Sequence, residues 1–354
     1  MRPAGGAAPL SVCDLTPDLL HGLCARAGAR PVHAERLHAW LFRRGRADLT
    51  RLPDLPRALR ERLGEWVDMR LPRPISRCRA GDGTAKYLLS FADGAEVETV
   101  LIPAARRLTQ CVSTQAGCAL GCRFCRTATA GLRRHLTRGE MVAQLLACWQ
   151  ETGVRPRNLV LMGMGEPMHN YEQVAGFIRL VTDPAGLAFA PRRVTLSTAG
   201  VVPGIDRLLA DCLPCSLAIS LNATTDAVRD RLMPINRKYP IAALLAAMRR
   251  FARAFPRRRL LVAYLLIGRV NDSAADAHRL IGLLDGIPCT VNLLPFNPWP
   301  GAEWRRPAPD AVDRFRAVLA AAGMVAVVRE SRGREIAAAC GQLLRVTGAA
   351  EAGR

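Results

Sequence analysis

From residue 109 onward, apolar runs of strand length alternate with segments whose apolar residues recur at helical spacing. Thr109–Ser113, Asn158–Met162, Arg193–Ser197, Ser216–Leu221, Leu260–Leu266 and Thr290–Pro295 predict six strands. Strands alternating with helices predict βαβ units, a parallel sheet and a site where the strands end. One helix start is marked in detail: Thr137 at the N-cap and Glu140 three residues later form a capping box. Residues 14–70 contain no strand-like run. Thr16–Ala27, Val32–Phe42 and Leu55–Val67 carry helical periodicity, punctuated by Gly, Pro and Arg. Two short strands follow, Lys86–Phe91 and Val97–Ile102, with Asp93-Gly94 between them as the turn of a hairpin. The expected organisation is a flexible N-terminus over 1–13, a helical accessory unit over 14–75, a hairpin extension over 76–108, an α/β core over 109–345 and a tail over 346–354.

Composition narrows the function classes. Half of the 354 residues are hydrophobic and 23% are charged, the balance of a globular chain and not a disordered one. The longest apolar stretch, Ala317–Val328, contains a glycine and falls short of the roughly 18–20 residues a membrane-spanning helix needs. Residues 1–20 lack the apolar core of a secretory signal, so a cytoplasmic protein with no membrane partner is expected. The net charge is +20, and Lys86 and Lys238 are the only lysines among the 50 basic residues. Guanidinium groups in such excess attract polyanions and suit phosphate, which makes RNA the expected partner. Arg26, Arg30, Arg36, Arg43, Arg44, Arg46 and Arg51 place part of that charge on the helical unit, where it could dock RNA. A GC-rich genome, which enriches Arg and Ala together, is the competing source of the same charge.

Twelve cysteines without an export signal point to metal or redox chemistry, because the cytosol keeps ordinary thiols reduced. Cys13, Cys24, Cys78, Cys148 and Cys289 are isolated and read as small hydrophobes. Cys212 and Cys215 lead into the apolar run ending at Leu221, a buried strand and not a redox motif. Cys118, Cys122 and Cys125 stand apart: chance would produce their spacing in about one such chain in seventy. Three thiolates on one loop can hold three corners of a 4Fe-4S cluster and leave one iron open, whereas an electron-transfer cluster takes four. A zinc site completed by a distant fourth ligand is the alternative.

Cys118, Cys122, Phe124 and Cys125 resemble the signature of the radical S-adenosylmethionine superfamily. The resemblance implies a partial (β/α)6 barrel, with S-adenosylmethionine chelating the open iron. The strand ends supply fitting groups: Gly165 and Glu166 in Gly163–Pro167, then Ser197, then Ser220, Leu221 and Asn222, then Asn297.

A narrower resemblance runs along nearly the whole chain. Val97–Val100, Cys111–Gln115, Met162–Pro167, Arg231–Asn236, Asn292–Pro298 and Ala338–Leu343 are similar to segments of the radical RNA adenine methyltransferases. That family includes a dual-specificity enzyme acting on adenine carbon 2 in 23S rRNA and tRNA, and a relative acting on carbon 8. Carbon 2 is the expected target here. The resemblance implies two S-adenosylmethionine molecules per turnover. One methylates the residue matching Cys340. The other yields a 5′-deoxyadenosyl radical that takes hydrogen from the methylcysteine, whose carbon radical then adds to the adenine. Glu98 matches the proton acceptor, and Cys111 the thiol that releases the RNA by forming a transient disulfide with Cys340. A flavodoxin or ferredoxin is the implied electron donor, and a monomer is expected. The chain departs from the family pattern at Arg126 and Ala128 and at Gly333–Glu335. A radical enzyme modifying a protein or peptide would keep the three-cysteine loop but would need neither Cys111 nor Cys340. A non-enzymatic zinc-stabilised RNA-binding protein is the remaining alternative.

Overall fold

The computed structural model describes residues 9–105 and 107–344. Ten strands make one sheet whose spatial order is their chain order: β1 Pro74–Arg79, β2 Ala85–Ser90, β3 Glu96–Ala104, β4 Arg107–Cys111, β5 Asn158–Leu161, β6 Val194–Thr198, β7 Ser216–Ser220, β8 Leu260–Leu266, β9 Thr290–Pro295 and β10 Ala326–Val328. The first four pair antiparallel. From β4 onward every pairing is parallel, with a helical segment crossing over between successive strands. Helices cover such strands on one face and the barrel interior covers the other, which is why β7, β8 and β9 are apolar almost throughout. Because β4 is bonded to β3 on one side and β5 on the other, it has no edge left to receive β10, and the barrel wall stays open there.

The six predicted parallel strands are present within about two residues of their expected bounds, as is the capping box: Thr137 accepts from the Glu140 amide at 3.1 Å, and the Glu140 carboxylate accepts from the Thr137 amide at 2.9 Å. Other elements differ from expectation. The hairpin gains a third strand, β1, whose residues are largely exposed and so show no apolar alternation. The stretch Ala317–Val328 is divided: helix Pro309–Ala321 stops ahead of Gly323, whose φ of 74° suits glycine, and the last residues form β10 at the sheet edge. The predicted helix Val32–Phe42 is an α-helix only over Pro31–His38, then widens into a π-turn over Ala39–Arg43.

The expected flexible N-terminus is corrected over residues 10–13. Leu10–Ser11 pairs with Val67–Asp68, and Val12 and Cys13 are buried. The next residue, Asp14, accepts from the Gly139 amide at 3.0 Å, in the first turn of helix Arg138–Thr152, where a carboxylate complements the helix dipole. Residues 1–8, Arg345 and the 346–354 tail lie outside the described residues. The helical unit and the barrel share one continuous apolar core, from Val12 through Leu343.

Candidate active site

The loop carrying the three cysteines leaves the C-terminal end of β4. Its base is drawn together by antiparallel pairing of Gln115–Gly117 with Leu132–His135. Gly117, at φ 82°, sits where any side chain would overlap the Gly131 carbonyl, and that carbonyl accepts from the Cys118 amide at 2.8 Å. Cys118 and Cys122 are buried and Cys125 half-buried. Burial raises the Cys118 thiol to about 11 and the Cys122 thiol well above its usual range, and each also feels the charge of Cys125. Around them pack Phe124, Ala199, Met233, Leu265, Phe296 and Trp304, an apolar shell of the kind that limits solvent access to a metal centre.

Among the described residues no three His, Cys, Asp or Glu side chains converge as they would around a single ion. A cubane makes a different demand, since each thiolate binds its own iron and the sulfurs stand further apart. Three thiols close enough to feel one another's charge, in one apolar shell, fit that demand, and Cys118, Cys122 and Cys125 could hold it. Cys122→Ala is then expected to reduce iron in anaerobically reconstituted protein from about four per chain to near zero. Undiminished iron and visible absorbance would remove this loop from metal binding.

The strand ends beside the loop fit closely. A side chain at Gly163 would meet Ser113 at 2.6 Å, and one at Gly165, where φ is 105°, would meet Gln115 at 2.6 Å, so both glycines are needed for the segment after β5 to cross the segment after β4. Glu166 is buried, and one oxygen accepts from the Met168 amide at 3.0 Å while the other accepts from the Ala199 amide at 2.8 Å. Asn222 is likewise committed: its side-chain oxygen accepts from the Leu265 amide at 2.9 Å. Asn297 accepts from Arg306 at 2.9 Å. The Leu221 carbonyl accepts from Arg229 at 2.9 Å. Ser197 and Ser220 stay half-buried at the mouth. Arg229, which sequence reasoning passed over, is wholly buried and also donates to the Ala199 carbonyl at 2.7 Å and to Asn236 at 2.8 Å, tying the ends of β6 and β7 together.

The second half of the site comes from the other side of β4. In register, Lys86 lies opposite Val100, and Val100 opposite Cys111. Directly opposed residues share a face, and Glu98, two residues before Val100, shares it too. Glu98 is buried: one carboxylate oxygen pairs with the Lys86 ammonium at 2.9 Å and the other accepts from the Leu344 amide at 2.8 Å. Burial pushes the Glu98 carboxyl up, opposed by Lys86, by the Leu344 amide and by Arg126.

Over this face lies the segment 333–344. The Gly341 carbonyl accepts from the Arg126 amide at 2.7 Å, and the Leu343 carbonyl from the Thr127 hydroxyl at 2.5 Å. Gln342 donates to the Pro298 carbonyl at 2.9 Å, and Trp299 donates to the Phe124 carbonyl at 3.1 Å. Cys340 is exposed, and its surroundings raise its thiol, with a further contribution from Cys125. Buried Cys111 is pushed up by burial and next by the charge of nearby Cys340, and both thiols are free. The departures at Arg126 and Gly333–Glu335 fall on this seam: Glu335 accepts from the Gly81 amide, and the Gly333 amide donates to Asp82 at 3.0 Å. Thus Cys118, Cys122, Cys125, Cys111, Cys340 and Glu98 come together across the end of β4, while Glu166, Asn222 and Asn297 use side-chain atoms to build the floor.

Residues 112–281 match the Radical SAM superfamily model. The chain is 45% identical over 345 residues to the dual-specificity RNA methyltransferase RlmN of Rhodospirillum rubrum, covering 95% of this chain and 80% of that one. It is 48% identical over 341 residues to the protein of the same name from Anaeromyxobacter sp. (strain Fw109-5), covering 93% and 89%. Among solved structures, a radical SAM methyltransferase from Sphaerobacter thermophilus superposes with a TM-score of 0.89 at 43% identity, covering 95% of this chain and 99% of that one.

Proposed function

Because the chain belongs to the dual-specificity RNA methyltransferases of the radical S-adenosylmethionine superfamily, enzymes that use a 4Fe-4S cluster and S-adenosylmethionine, we propose that it methylates carbon 2 of an adenine in 23S rRNA, tRNA or both. The observation that carries this reading is the seating of the Cys340 segment between the three-cysteine loop and Glu98, near enough to Cys111 for the charge of Cys340 to be felt there. A peptide-modifying enzyme or a zinc-stabilised binder would have no use for that pair of thiols, and family membership replaces both alternatives.

When bound, the cluster and two molecules of S-adenosylmethionine per turnover supply the methyl group and the one-electron chemistry. The protein's own residues do the rest. Cys118, Cys122 and Cys125 hold the cluster. The backbone beside Gly165, with Ser197, Ser220 and the strand-end carbonyls, lines the place for the nucleoside, and Glu166, Asn222 and Asn297 keep that place in shape. Cys340 carries the methyl carbon to the ring, its side chain exposed to a substrate that enters from solvent. Glu98 takes the proton from the ring carbon; a carboxyl held above its usual range is a stronger base once ionised. Cys111 then attacks the Cys340 sulfur: the disulfide forms as the bond from that sulfur to the carbon on the base breaks, the freed carbon takes up a proton to become the methyl group, and a reductant returns the disulfide to two thiols before the next turnover. A flavodoxin or ferredoxin supplies electrons, the protein acts as a monomer, and arginines beyond the mouth meet RNA phosphates. No helix among the described residues is long and apolar enough to cross a membrane, and a cytoplasmic location agrees with an RNA substrate.

Mass spectrometry of rRNA and tRNA from cells with and without the gene tests the reading. A 2-methyladenine that disappears with the gene is the expected result. An unchanged modification profile in both RNAs would overturn it, and methylation at carbon 8 would keep the chemistry but move the target.

A further inference from the structure

Lysine is scarce in this protein, and of the two lysines Lys86 is buried at the seam just described. Where arginine serves as the default cation, a buried lysine stands out. Its Nζ lies 2.9 Å from the Glu98 carboxylate and 3.3 Å from the Ala337 carbonyl. Ala337 adopts a left-handed backbone at φ 49°, three residues before Cys340. One ammonium therefore touches both the proton acceptor and the root of the segment that carries the methyl group. The other end of that segment is held by the same carboxylate, through the Leu344 amide.

We propose that Lys86 is a positioning residue for methyl transfer: it keeps Glu98 ionised and aimed at the ring, and through Ala337 it fixes the Cys340 segment in the same register. The inference rests on Glu98 being the proton acceptor. The charged groups facing Glu98 are Lys86 from β2 and Arg126 from the cysteine loop, with the Leu344 amide closing the third side. Burial raises the Glu98 carboxyl and Lys86 works against it, so removing the ammonium moves it further up. A base must be ionised, so the rate falls as pH drops through the Glu98 pKa. Without Lys86 that fall begins at higher pH.

The test uses the reconstituted full chain with Lys86→Met, Lys86→Gln and Lys86→Arg, and the pH profile of RNA methylation. Methylation of Cys340, read by protein mass, serves as the control for folding and for the first half of the reaction. The acid limb is expected to move up by about one pH unit or more in the Met and Gln variants and to stay near its native position in the Arg variant. The same shift can be read without turnover, as the pH at which the Glu98 carboxylate infrared band, identified by its loss in Glu98→Gln, disappears. An unmoved limb in whichever neutral variant still methylates Cys340, or an equal movement in Lys86→Arg, overturns the proposal. Glu98→Gln separates the two failures: activity retained there removes the acceptor role itself, whereas activity lost there with an unmoved limb in the Lys86 variants removes only the role of Lys86.

Discussion

Cys340→Ala is expected to lower RNA methylation by at least about a thousandfold, while iron content and cleavage of S-adenosylmethionine persist. In the proposed route the methyl carrier has no substitute, so the loss is large. Cys340 is exposed beside the three-cysteine loop, and nearby Cys111 is buried. The scaffold is expected to survive the substitution: the contacts that seat the segment come from Gly333, Glu335, Ala337, Gly341, Gln342, Leu343 and Leu344, and none uses the Cys340 side chain. Normal iron with no methylation thus isolates the sulfur atom as the missing part. Methylated RNA formed at the native rate by this variant would end the methylcysteine reading.

Cys111→Ala has the opposite appearance on a gel. In the proposed route, methyl transfer through Cys340 joins the enzyme covalently to its RNA, and release takes a second thiol close enough to form a bond of about 2.05 Å. The strand position of Cys111 puts it on the same sheet face as Glu98, near Cys340. Burial raises the Cys111 thiol. With alanine at 111 the enzyme is expected to complete one alkylation and stop, leaving a protein–RNA adduct that nuclease trims back to the free protein's mobility. A variant isolated free of RNA from cells that contain substrate would assign release to another group.

Most of this geometry could be traced in the sequence, and what could not was hidden for identifiable reasons. The parallel strands are legible because burial on both sides demands continuous apolar runs. β1 is not, since its residues face water, and β10 is masked by the apolar helix that runs into it. Cys118, Cys122 and Cys125 announce themselves by spacing, because a single loop supplies all three. Glu98, Cys111 and Cys340 were found through the family resemblance, for their meeting depends on sheet register and on a segment more than 200 residues away. The roles of Glu166, Asn222 and Asn297 differ from the expected ones in emphasis: residues at strand ends must satisfy buried amides and neighbouring cations before they can serve a ligand. Lys86 offered one signal, its rarity, whose meaning appeared only once its neighbours were known.

The stretch from Gly333 to Leu344 docks onto Asp82, Lys86, Glu98, Arg126 and Thr127, all of which leave the ribosome some two hundred residues or more earlier. The three-cysteine loop is therefore made well before the segment that will cover it. The surface that receives this segment stays uncovered until late in synthesis.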